Sequence, residues 1–111
     1  MTKSEIEKLV RYEVRNAPFL SGMHDINMGN IDSYLTTPYE MNFLEPISNK
    51  IERHWVVLDE NHQNKEGGYL VFYSEHDSSF GLGTKTNVTK IPNLGTFVGV
   101  YGSISDAIKS M

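Results

Sequence analysis

The sequence predicts a single α+β domain over residues 1–111, with an N-terminal helix and a short C-terminal helix packed on a four- or five-stranded, mainly antiparallel sheet. Three features predict it. Apolar runs rich in β-branched and aromatic residues stand at Trp55–Leu58, Tyr69–Tyr73 and Thr96–Tyr101, each too short for a buried helix. Gly67-Gly68, Ser78-Ser79 and Pro92-Asn93 punctuate them as turns do. The connections are too short for βαβ crossovers, so hairpins order the strands. With 39% apolar and 22% charged residues, the 111-residue chain lies outside the disordered regime and carries one core, not two.

The first helix is expected from Ser4 to Arg15. Ser4 and Glu7 fit a capping box, in which the hydroxyl accepts from the third helical N–H while the carboxylate reaches back. Ile6, Leu9, Val10 and Val14 recur at helical spacing and make one apolar stripe, with Glu7 and Arg11 paired on the solvent side. Ala17-Pro18 closes the helix, because the residue before proline avoids the α region.

Residues 19–48 read as mostly irregular. Asn30 is placed as the cap of a short turn that directs Ile31, Tyr34 and Leu35 to the core before Pro38 ends it. Tyr39–Glu45 alternates as an edge strand would, and Pro46 suits its end. A further strand starts at Ile51 or at His54. The continuously apolar runs at Trp55–Leu58 and Tyr69–Tyr73 imply burial on both faces, with the stretch from Asn61 to Gly68 joining them as a long hairpin.

In Phe80-Gly81-Leu82-Gly83-Thr84 the large residues share one face and glycines make up the other, so a helix or an aromatic side chain is expected to lie close against Gly81 and Gly83. After the last strand, Gly102 turns the chain. Ser103 and Asp106 then start a second capped helix bearing Ile104, Ala107, Ile108 and Met111.

Charge and motifs exclude more functions than they suggest. The net charge of −4 is concentrated in residues 59–77, where Asp59, Glu60, Glu66, Glu75 and Asp77 face Lys65 alone. Nucleic acid is disfavoured as a partner, because phosphate contacts need clustered lysine and arginine. There is no cysteine, hence no disulfide, thiolate metal site or cysteine nucleophile. No run of about 18 apolar residues is present, so no membrane span is expected, and the charged first turn is unlike a secretory segment. A cytoplasmic protein of bacterial style is the expectation.

Gly81–Thr86 matches neither phosphate-binding glycine pattern, and Asn87-Val88-Thr89 is a chance match to a glycosylation site. His24, His54, His62 and His76 show no metal-ligand spacing, and no serine sits in a nucleophile elbow. No cofactor, metal or catalytic residue is therefore expected. The aromatic surplus, Tyr12, Tyr34, Tyr39, Tyr69, Tyr73, Tyr101 and Trp55, exceeds what one small core hides, and such residues favour interfaces.

Two functional expectations follow. The first is a non-catalytic binding protein that sets Asp59, Glu60, Glu66, Tyr73, Glu75 and Asp77 against a basic protein partner, as an immunity protein neutralises a toxin. Self-association is the variant in which the partner is a second copy. The alternative is a small enzyme or ligand-binding domain that uses His76 with Glu75 or Asp77 in a pocket over the glycine face.

Overall fold

A computed structural model of the chain describes residues 1–17, 26, 29–60, 68–85 and 91–111. Helix α1 (Lys3–Asn16) carries the expected stripe, with Ile6 and Val10 buried and Leu9 and Val14 packed beside them. Its cap falls two residues earlier than Ser4. The Thr2 hydroxyl accepts from the Glu5 N–H at 3.2 Å, and the Glu5 carboxylate accepts from the Thr2 N–H at 2.8 Å. Both tetrads satisfy the capping pattern, and the earlier one adds helical residues while Ser4 is carried in the first turn. Ala17 is extended, as its place before Pro18 requires.

The segment after Asn30 departs from expectation. A short 3₁₀ turn, Ile31–Ser33, buries Ile31, but Asn30 contributes its carbonyl to the Ser33 N–H (2.9 Å) and not its side chain. Strand β1 (Leu35–Glu45) starts at Leu35 and runs through Pro38. Pro38 survives there because pairing with the next strand is irregular between Leu35 and Tyr39, where its missing N–H breaks no ladder.

Strands β2 (Lys50–Asp59), β3 (Tyr69–Ser74), β4 (Ser79–Thr84) and β5 (Leu94–Gly102) follow, and helix α2 (Ile104–Lys109) ends the fold. Ser103 caps α2 as expected, its hydroxyl accepting from the Asp106 N–H at 3.0 Å. The architecture is thus α+β with two helices and five strands. The sheet differs from the expectation by closing. Each strand pairs antiparallel with the next, and β5 returns to β1 in parallel, from Asn42↔Leu94 to Leu44↔Thr96. An up-and-down run with an odd number of strands leaves its first and last pointing the same way, so closure imposes the parallel seam.

Two packed layers result. Inside the barrel Phe43, Val56, Leu70 and Phe72 are buried, with Met41 and Phe97 against them. Outside it, Val57, Leu58, Val71, Tyr73, Phe80 and Leu82 are covered by Ile6 and Val10 of α1 and by Ile104, Ala107 and Ile108 of α2. This is why β2 and β3 read as continuously apolar. Val57 sits at a register shift in the β2–β3 ladder, which lets Val56 face inward and both Val57 and Leu58 be buried outside.

The glycine face of β4 turns inward and is filled by aromatic rings. A Cβ on Gly83 would stand 2.5 Å from the Phe43 ring, and one on Gly95 2.9 Å from the same ring. At Gly81 it would meet both the Phe72 ring and the Gly99 carbonyl oxygen. The pocket over this face that the enzyme alternative required is therefore occupied by Phe43 and Phe72. Because the Gly99 oxygen belongs to a paired strand and cannot step aside, Gly81→Ala is expected to destabilise the fold by about 1–3 kcal/mol in urea unfolding.

Candidate functional site

The β1–β2 hairpin is longer than the β3–β4 hairpin, and the difference opens a cleft. β1 and β2 stay paired as far as Glu45↔Lys50, whereas β2 pairs with β3 only from Trp55↔Tyr73 onward. β3 stops at Ser74 because its turn is fixed locally. The Ser74 hydroxyl donates to Asp77 Oδ2 at 3.0 Å, the Asp77 N–H donates to Ser74 Oγ at 3.2 Å, and Ser78 adopts a positive φ of 50°. Beside the half of β2 that β3 has left lies a cleft of about 530 Å³, walled by Glu52, Arg53, His54 and Trp55 on β2, Glu40 on β1, and Glu75 and His76 on the turn.

Carboxylates dominate this corner. Glu40 pairs with Arg53 at 3.2 Å, and Glu75 accepts from the Trp55 indole N–H at 2.8 Å and from the Met1 ammonium at 2.9 Å. Those two bonds, the ammonium's first, hold the Glu75 carboxyl below its usual range. The same contact raises the Met1 ammonium, which also feels Glu5 and Glu40. Among the described residues, Glu5, Glu40 and Glu75 act on the Met1 ammonium, Glu40 pairs with Arg53, and Glu52 and Asp77 act on His54.

His54 is the unusual group. Alternation along β2 puts it on the inward face with Val56, where its ring stacks on Phe72 at 4.4 Å and 10°. It is only 3% exposed, and Nε2 has no hydrogen-bond partner. Glu52 Oε2 lies 3.4 Å from that nitrogen, within ion-pair range but not aligned as a hydrogen bond. Burial pushes the imidazole below its ordinary pKa of 6.5, against the pull of Glu52 and Asp77.

Of the six residues proposed from sequence for a partner surface, the five described ones do not form one patch. Asp59 is buried and paired with Lys85 at 2.7 Å. Glu60 clamps the hairpin base, its carboxylate accepting from the Tyr69 N–H at 2.9 Å. Tyr73 is 8% exposed, under the helices. Asp77 shapes the β3–β4 turn, and Glu66 lies outside the described residues. Of the six, Glu75 lines the cleft. His76 also lines it but is exposed on the turn, so the buried imidazole of this corner is His54.

Sequence reasoning missed Glu40 and Glu52, and weighed His54 only as one of four histidines without metal-ligand spacing. The Glu52-x-His54-x-Val56 alternation places those side chains on one face of β2, but that signal is readable only once Lys50 is known to begin the strand. Among the described residues no cluster of three or more His, Asp or Glu side chains is arranged to hold a metal ion, and no helix is long and apolar enough to cross a membrane. No protein-family model matches this chain, and no curated protein or solved structure matches it either.

Two measurements test these assignments. Since folded His54 binds its proton more weakly than the unfolded chain does, protonation favours unfolding. Stability should be full above the ordinary imidazole pKa of 6.5 and fall as pH drops below it, and His54→Phe should flatten that slope in thermal melts. Lys85→Met would leave Asp59 buried without its cation, and urea unfolding should show a loss of about 1–3 kcal/mol.

Proposed function

We propose that this protein is a non-catalytic binding protein that holds a basic protein partner, in the manner of an immunity protein neutralising a toxin. What carries the reading is the cleft, where Glu52 and Glu75 stand exposed at the rim and Trp55 offers a partly buried aromatic wall. Exposed carboxylates of this kind raise the rate of encounter with a cationic surface and select against acidic ones. The aromatic ring adds apolar area at low entropic cost, and an indole attracts lysine or arginine. The net charge of −4 acts in the same direction at longer range.

The competing enzymatic reading set His76 with Glu75 or Asp77 in a pocket over the glycine face; that face is filled by rings, and His76 instead lines the cleft with Glu75, exposed on the turn.

The test compares wild type with the double variant Glu52→Gln/Glu75→Gln as affinity bait, with any captured protein then purified and titrated by calorimetry. The expected partner has a basic surface, binds more weakly as salt rises, and loses about tenfold or more in affinity for the variant. Its own activity should fall on binding if the role is neutralisation. Capture of an acidic partner, or equal affinity for both forms, would overturn the proposal.

A further inference from the structure

His54 and Glu52 are neighbours on one face of β2, and only one of them is free to move. The imidazole is buried, stacked on Phe72 at 4.4 Å, with the rings of Phe43 and Phe97 at 6.0 and 6.4 Å. Close packing of that kind fixes its orientation. The Glu52 side chain is half exposed at the rim of the cleft, and its Oε2 stands 3.4 Å from Nε2 without the alignment of a hydrogen bond.

A proton changes what this pair is. Whichever nitrogen carries the hydrogen of the neutral ring, the charged ring carries one on each, so Nε2 then meets the carboxylate as a cationic donor. Such a bond forms at about 2.7–2.9 Å, about half an ångström inside the present gap. Because the ring is held, the carboxylate must close the distance.

We infer that His54 and Glu52 form a proton-operated latch on the cleft: when the buried imidazole takes up a proton, the Glu52 carboxylate turns inward from the rim onto Nε2, and the cleft withdraws the acid it otherwise presents.

The other charges around the ring set a background. Asp77 on the β3–β4 turn adds to the pull of Glu52, and His76 on the same turn opposes it. Glu40 is held by Arg53 at 3.2 Å, and Glu75 by the Met1 ammonium and the Trp55 indole. Lys50, at the start of β2, lies on the same face as Glu52. Lys50 and Arg53 keep their charge throughout the range in which an imidazole titrates, so neither operates the latch. From β1, β3 and β5 the ring meets the uncharged Phe43, Phe72 and Phe97. Among the described residues Glu52 is thus the carboxylate within ion-pair reach of Nε2. Burial outweighs its pull, which puts proton uptake below the ordinary 6.5, on the acid side of neutrality. A basic partner held through Glu52 would lose that contact and meet an imidazolium, so acid would release it, a consequence that rests on the basic-partner reading above.

The test is a pH titration of the full chain by NMR, following the His54 ring carbon Cε1 and the Glu52 carboxyl carbon in wild type and His54 in Glu52→Gln, with far-UV circular dichroism over the same range. In the folded protein His54 should titrate with a midpoint below 6.5, and the Glu52 carboxyl carbon should shift in that same step. Glu52→Gln, which alters an exposed side chain and spares the fold, should lower the His54 midpoint further. An unchanged midpoint in Glu52→Gln, a Glu52 signal that ignores the His54 step, or loss of the folded signal at the pH where His54 titrates would each overturn the latch. The capture experiment judges the basic partner separately: its failure overturns that reading and leaves the latch to the titration.

Discussion

Inside the barrel two phenylalanine rings stand where glycine Cβ atoms would otherwise be. Phe43 rests against Gly83 and Gly95, and Phe72 against Gly81, with ring centroids 5.1 Å apart. Each strand glycine costs about 0.5–1 kcal/mol of chain entropy, whereas removing a buried phenylalanine costs about 3–5 kcal/mol. Packing therefore outweighs the backbone cost. The barrel can be this narrow only because three of its inward positions are empty of side chains.

Closure around those rings sets the remaining geometry. With the inner layer filled by Phe43, Val56, Leu70 and Phe72, the alternate residues of β2, β3 and β4 point outward and must be covered. α1 and α2 do so, which is why both helices show one apolar stripe and lie on the same side of the sheet. The closure also has an end. β1 and β2 extend beyond the point where β3 turns, and the stack of Phe72 on His54 fills the barrel just there. Burial at that position disfavours the charged imidazole, and the same placement leaves its Nε2 3.4 Å from Glu52 Oε2 beside the open edge.

Carboxylates acquire different roles through register and not through sequence proximity. Asp59, Glu60, Glu75 and Asp77 belong to one acidic stretch, yet the ladder from Asp59↔Leu70 to Trp55↔Tyr73 separates the first two from the last two. Asp59 and Glu60 are consumed in tying the hairpin base, and Asp77 in bending a turn. Glu75 instead lines one cleft with Glu40 and Glu52, which come from positions more than 20 residues away. Composition alone weighs all of these acids equally.

The sequence by itself determined the helices, through stripes at helical spacing, and the strands around Trp55, Tyr69, Phe80 and Thr96, through apolar runs bounded by turn residues. It also marked Gly81 and Gly83 as a face that must lie against something bulky, because a strand tolerates bare positions only at close approach. What it left undetermined was long-range. Whether five strands lie open or close depends on whether β5 meets β1, a pairing across some 50 residues with no local signature. The start of β1 at Leu35 was hidden by Pro38, whose local preference was overridden by an irregular ladder. The cleft, the free edge of β2 and the buried His54 exist only because two hairpins of unequal length are held side by side, and unequal reach is a property of paired strands, not of either strand alone.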